Sequence, residues 1–300
     1  MTIIKGKTTW VDVFKPNQDD INQLKRFGKF HHLILEELLS HSARARVEEH
    51  EGYIYLAHHV PVYDPETKTS RRAEIDFLIT SNTIITVRYE PLEQIDLFLQ
   101  ELLRDKKLQG EILSQPSYVL LHQIMENAMG FALRQLRHIE ERVGFISKEI
   151  FLRHGALLET ISYVKRDILD YRLIVRPHEE LFISLVEVGE RFWGKKAIVY
   201  LNNLSGENLR VFQRLENYFA IIESLEKTNS QLLNVATNNI IKRFTILAFL
   251  FSIPLFFIFA MSVPYIDAII NTPTKFWAIF LLIIALLSWL LYAFKKKKLL

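Results

Sequence analysis

The sequence predicts an α+β domain over residues 1–205, a small sheet with helices on its faces, followed by a long stalk helix and two transmembrane helices. Three observations predict it. Short β-branched and aromatic segments separated by turn residues fill the first ninety positions. Helical periodicity takes over after Pro91. Two uncharged apolar runs close the chain, Phe244–Val263 with twenty residues and Phe276–Phe294 with nineteen.

The sheet is legible in pieces. Thr9–Phe14 has strand composition and ends at Pro16. Asn17-Gln18-Asp19-Asp20 is a helix start, with helical patterning through Leu39. Val47–Val62 reads as a hairpin that turns at Glu51-Gly52, and Ala73–Ile79 with Thr83–Tyr89 reads as a second one turning at Ser81-Asn82. The helical part begins with amphipathic Leu92–Lys107. A long helix follows Pro116, in which Leu133, Leu136, Ile139, Val143 and Ile146 recur at three- and four-residue spacing. A further helix ends near Val175 at the Arg176-Pro177 break, and Glu179–Phe192 forms a shorter one.

Neither Gly nor Pro occurs between Gly206 and Pro254, so one unbroken helix of about 70 Å fits there. Phe212, Leu215, Phe219, Ile222 and Leu225 form its early apolar seam. Residues 206–243 are the expected stalk, and the seam gives way to Asn229, Ser230, Asn234, Thr237, Asn238 and Asn239 just before the first apolar run.

Each apolar run is long enough to cross the roughly 30 Å hydrocarbon core of a bilayer. Lys242 and Arg243 precede the first span, and Lys295, Lys296, Lys297 and Lys298 follow the second. The connecting loop, residues 264–275, carries only Asp267 and Lys275. The positive-inside rule therefore puts the loop outside and both chain ends in the cytoplasm of a plasma (inner) membrane protein. Trp277, Trp289 and Tyr292 lie near the ends of the second span, where amphipathic rings favour the headgroup layer.

Composition narrows the function classes. Cysteine is absent, which excludes disulfides and thiolate metal sites. The net charge is only +3, with no broad basic stripe for a nucleic acid. No phosphate-cradling glycine loop, dinucleotide fingerprint or GxSxG elbow is present, so no enzyme chemistry is expected. His31-His32 and His58-His59 are adjacent pairs that point to different sides of their elements. His138 is expected on a salt-bridged helix surface.

Two helices cannot enclose a hydrated path alone, so a pore needs several copies around an axis with polar residues of one helix turned inward. The candidates are Asn234, Asn238, Thr245, Ser252 and Ser262. The spacings of 7, 7 and 10 from Asn238 to Ser262 suit one helix face. Glu207, Glu216 and Glu223 are weaker candidates for a regulatory divalent cation between copies.

The arrangement resembles the CorA family of divalent metal ion transporters. The residues that carry the likeness are Thr237-Asn238 with Lys242, Thr245-Ile246, Ile253-Pro254-Leu255, and the closing Lys295–Lys298 with Leu299-Leu300. The resemblance implies a funnel-shaped homopentamer with the first span lining the pore, the second outside it, a lysine ring at the inner end and Asp267 at the outer entrance. Transported or regulatory ions would be Mg2+, Co2+, Ni2+ or Zn2+. The family's Gly-Met-Asn signature has as its counterpart here Ala260-Met261-Ser262, which lacks the amide oxygen that would face a hydrated hard cation. Two readings follow. One is a divalent-cation channel or transporter with an altered filter. The other is a non-conducting membrane sensor or scaffold, in which Phe244, Leu255, Phe256 and Phe259 close the axis.

Overall fold

The computed structural model describes residues 1–152, 157–263 and 272–296, with the backbone alone at 261, 291 and 293–296. It divides into two units, one made of Met1–Glu149 with Leu157–Glu226 and the other of Ile150–Ala156 with Lys227–Leu300.

The first unit is built on a six-stranded mixed sheet. Its strands are β1 (Thr2–Ile4), β2 (Thr9–Phe14), β3 (Arg46–His50), β4 (Tyr53–Asp64), β5 (Thr69–Ile79) and β6 (Thr83–Arg88), in the order β1-β2-β6-β5-β4-β3. Both expected hairpins form, the first turning through Gly52 at φ 82°, where a side chain would be strained. β2 joins β6 in parallel, and β1 adds an antiparallel edge that sequence patterning did not single out.

Strand alternation gives the sheet two buried faces. Ile54, Leu56, Val60, Ala73, Ile75, Phe77, Ile79 and Ile84 meet one helical layer. That layer comprises α3 (Glu93–Arg104), α4 (Lys106–Leu113), α5 (Ser117–Glu149) and α7 (His178–Trp193), and the start of α8 (Lys195–Met261) joins it. Val11, Val13, Tyr53, Tyr55, Ala57, Leu78, Ile85 and Val87 meet α1 (Gln18–Leu24) and α2 (His32–Glu37) on the other side. Burying such large side chains contributes about 1.5–3 kcal/mol apiece, so the two faces hold the domain together.

The helix start at Asn17 forms as a capping box: Asn17 Oδ1 accepts from the Asp20 amide at 2.9 Å, and Asp20 Oδ2 accepts from the Asn17 amide at 3.2 Å. The helix does not run to Leu39. It stops at Leu24, and α2 begins at His32 after the His31 amide donates to Tyr53 Oη at 3.1 Å. That tertiary bond holds His31 in an extended conformation, which periodicity cannot register. α6 (Leu158–Val175) ends at Arg176-Pro177 as expected.

The long helix begins earlier than Gly206. Gly194, at φ 82°, ends α7 in the region open to glycine, and α8 starts one residue later and runs for 67 residues. Gly206 is accommodated inside it, at a cost of only about 1 kcal/mol relative to Ala. At Gly189 a Cβ would lie 2.2 Å from Leu201 Cδ1, so this glycine lets α7 and α8 approach closely. In the second unit, α9 (Pro273–Lys296) is the other apolar helix, and most described side chains of both α9 and the apolar end of α8 are exposed.

Candidate functional site

The apolar end of α8 presents distinct faces. At about 100° per residue, Asn234, Asn238, Thr245 and Ser252 fall within about 40° of one another. All four are exposed. Ser262 does not share their face. It lies roughly 95° round the helix, beside Phe244, Phe251 and Leu255, because ten residues from Ser252 make 2.8 turns, not a whole number. Phe256 and Phe259, 76% and 67% exposed, continue the polar stripe toward the end of the helix. The covered side, about 100° from the stripe, is Ile246, Leu250, Ile253, Phe257 and Ala260. There Phe257 meets Phe276 of α9 at 5.9 Å between ring centroids, and Phe276 stacks on Phe280.

The hydroxyls of the stripe donate inward to their own helix. Thr245 Oγ1 donates to the Ile241 carbonyl at 2.9 Å and Ser252 Oγ to the Phe249 carbonyl at 2.7 Å. Each then presents only lone pairs outward, which suits a hydrated cation rather than an anion. Ser262 Oγ donates to the Ile258 carbonyl at 3.3 Å. Ala260, Met261 and Ser262 sit where the helix ends, with the Ser262 and Val263 amides bonded back to Phe259 and Ala260. Asp267, Lys297 and Lys298 lie outside the described residues, as do the side chains of Met261, Lys295 and Lys296.

The three glutamates do not form a cluster within the chain. Glu207 pairs with Arg210 at 2.6 Å and Glu216 with Arg172 at 2.8 Å. Glu223 lies one turn before Glu226, which holds Lys165 at 2.6 Å. Among the described residues no group of three or more His, Asp or Glu side chains is arranged to hold a metal ion.

The sheet domain contains buried polar groups that sequence reading missed. Arg88, 2% exposed, makes a forked contact with Asp12 at 3.0 and 2.7 Å and reaches Asp96 at 2.9 Å, fastening β2 to β6. His138 is half-buried and paired, but with a group on another helix: its partner is the fully buried Asp167 of α6. His58 and His59 are both buried and, as expected, point to opposite faces. His58 packs against His178 of α7 with its ring tilted, the ring centroids 4.5 Å apart. Burial, with His178 and His59 adding to it, holds His58 well below the ordinary histidine range. Burial lowers His178 to about 3 and His59 to about 4, the latter also repelled by Arg72.

On the α1–α2 side, Glu74 and Asp76 are completely buried neighbours on one face of β5. Burial, and then Glu74, push the Asp76 carboxyl well above the usual carboxylate range, so it keeps its proton. Asp76 accepts from Tyr89 Oη at 2.6 Å and Tyr55 Oη at 3.3 Å. The one sequence signal for this site is a pair of carboxylates two residues apart inside an otherwise apolar strand.

Comparison with known proteins gives consistent matches over nearly the whole chain. Residues 5–296 match the family described as CorA-like Mg2+ transporter protein. A cobalt/magnesium transport protein CorA from Thermotoga maritima is 22% identical over 255 residues, covering 83% of this chain and 71% of that protein. Its counterpart from Methanocaldococcus jannaschii is 20% identical over 299 residues, covering 96% and 90%. The complete structure of the M. jannaschii CorA magnesium transporter superposes with a TM-score of 0.80 at 18% identity over 96% of this chain and 90% of that one.

Proposed function

The chain belongs to the family of CorA-like Mg2+ transporters, and from that membership we propose that it conducts divalent cations across the plasma membrane as a ring of five copies. The observation that carries this reading is the polar stripe of Asn234, Asn238, Thr245 and Ser252, on the first of the two helices that are long and apolar enough to span a membrane among the described residues. Exposed amides leading into the span, continued by hydroxyls whose remaining lone pairs face outward, suit the wall of a hydrated ion path. In the proposed arrangement α8 lines the path and α9 stands outside it. Both chain ends face the cytoplasm, Lys295–Lys298 ring the inner mouth, and Asp267 gives the outer entrance a negative potential. Glu207, Glu216 and Glu223 are proposed to meet a regulatory cation between copies.

The filter is proposed to differ from the family pattern. Ser262, offered as the counterpart of the signature Asn, is short and sits on another face from the stripe, whereas Phe256 and Phe259 occupy the stripe's outer half. The path is therefore hydrated on the cytoplasmic side and narrowed by aromatic rings farther out. The same two rings favour the second reading, a non-conducting sensor or scaffold.

Reconstituted protein in liposomes separates the two. Uptake of Mg2+, Co2+, Ni2+ or Zn2+ down a gradient is expected. Uptake of none of them above empty liposomes, with orientation and folding verified, overturns transport in favour of the scaffold.

A further inference from the structure

A pocket of about 350 Å³ lies where β5, α6 and the loop before β3 meet, and two guanidiniums, those of Arg44 and Arg72, line it. Arg72 Nη1 donates to the Ala43 carbonyl at 3.2 Å, which ties it to the loop that carries Arg44. Among the described residues no carboxylate pairs with Arg44 or Arg72. Arg71, the preceding residue of β5, differs: it pairs with Glu90 at 2.6 Å.

The acidic groups nearby are already engaged. Asp170, on the pocket wall, accepts from Thr69 Oγ1 and faces Arg166 Nε at 3.6 Å. Glu74 does not line the pocket, and its carboxylate accepts from the Ser42 amide at 2.7 Å. Ser70 Oγ donates to Asp167 at 2.8 Å, so the guanidiniums are the main side-chain donors left for a ligand. Arg72 also repels a proton from buried His59 on the same wall, so its charge is felt inside the pocket. Ala43, Leu173, Ile174 and Pro177 add an apolar surface beside the two arginines.

We propose that this pocket binds a phosphate monoester, its phosphate held by Arg44 and Arg72 and its short organic part against the apolar surface. A monoester phosphate has three terminal oxygens, enough to take a fork from each of two guanidiniums. One fork already occupies both oxygens of a carboxylate, so a carboxylate fits the pair less well. The phosphate charge, about −1.5 to −2 at neutral pH, answers both arginines. The volume stands at the small end of the roughly 300–1,000 Å³ range of ligand pockets, which suits an ester of a few carbons or the phosphate end of a lipid. The proposal stands apart from the transport reading, because binding is measured without flux.

The test is isothermal titration calorimetry on the full-length protein in detergent. Propyl phosphate should bind saturably at one site per chain, more tightly than inorganic phosphate and at least about tenfold more tightly than butyrate. Arg44→Gln and Arg72→Gln should each weaken it at least about tenfold, with folding checked by circular dichroism, and Arg71→Gln should leave it unchanged. Asp170→Asn should tighten it, because the wall loses its negative charge, a gain that a damaged fold cannot produce. Absence of saturable binding to the wild-type chain overturns the proposal, and so does binding that persists unchanged in both arginine variants. Butyrate binding as tight as propyl phosphate overturns the choice of phosphate, and equal affinity for inorganic phosphate overturns the organic part. Dihexanoyl phosphatidic acid as competitor identifies the source. Displacement at a lower concentration than propyl phosphate itself needs assigns the site to a lipid headgroup, and weaker competition assigns it to a soluble ester. Should neither arginine variant fold, the wild-type and Asp170→Asn titrations decide.

Discussion

His138 Nε2 lies 2.6 Å from Asp167 Oδ2, joining α5 to α6 through a carboxylate with no exposure to solvent. Its other oxygen accepts from Ser70 Oγ at 2.8 Å, so one buried aspartate ties two helices to strand β5. Tyr171, one turn farther along α6, adds a bond to the Ala132 carbonyl of α5 at 2.6 Å.

Removing that aspartate leaves buried donors unpaired. Asp167→Ala should cost about 3 kcal/mol of stability, against about 1 kcal/mol or less for Asp170→Ala, whose carboxylate is half-exposed. Denaturant unfolding followed by near-ultraviolet circular dichroism measures both. Equal, small losses would show that Asp167 carries no such burden.

Arg88 presents the same physics from the cationic side. Arg88→Ala leaves Asp12 buried without its forked partner and should cost about 3–5 kcal/mol. Arg88→Lys should recover only part of this, because an ammonium cannot reproduce the fork. Full recovery with Lys would point to charge rather than geometry.

Acid should weaken the domain through its buried histidines. His178 and His59 have folded values of about 3 and 4 against an ordinary 6.5. The unfolded chain therefore takes up protons that the folded one refuses. Their contribution is complete above about pH 6.5 and is lost as the pH falls toward 4 and then 3. Asp76 works in the opposite sense, since its raised value favours the folded state in acid. The variant His178→Gln isolates the histidine: between pH 6 and 4 the wild-type slope should exceed the variant's by about one proton, roughly 1.4 kcal/mol per pH unit. Parallel slopes would exclude this role for His178.

The absence of cysteine makes the helix face directly testable. Single substitutions Asn238→Cys, Thr245→Cys and Ser252→Cys should react with a water-soluble thiol reagent in reconstituted protein and lose ion uptake several-fold. Ile246→Cys, Leu250→Cys and Ile253→Cys, on the covered side, should not react. Phe256→Ser should raise uptake several-fold if the ring narrows the path. A reactive pattern centred on Ser262 would move the path to the other face.

Much of the architecture was legible because it depends on local periodicity. Alternation marked β4, β5 and β6 with their turns, the Arg176-Pro177 break marked the end of α6, and charge-free length marked both apolar helices. The break between α1 and α2 was not legible, since a bond from the His31 amide to a distant tyrosine imposes it. Nor was the start of α8, because Gly206 looks like a stop while Gly194 is one only by virtue of its positive φ. The stripe was legible in part: spacings of 4 and 7 keep Asn234 through Ser252 aligned, but a spacing of 10 carries Ser262 away.

The sequence by itself determined the two apolar helices, the long helix leading into the first, and the mixed character of the domain before them. Those features follow from composition and from the repeat of 2.0 or 3.6 residues, both of which act along the chain. Only the tertiary structure decided which polar residues are buried and with what. His138 and Asp167 are 29 positions apart, Asp12 and Arg88 are 76 apart, and His59 meets Glu74 through the register of two strands. A buried charge is settled by the groups that replace its water, and those come from other elements of the fold.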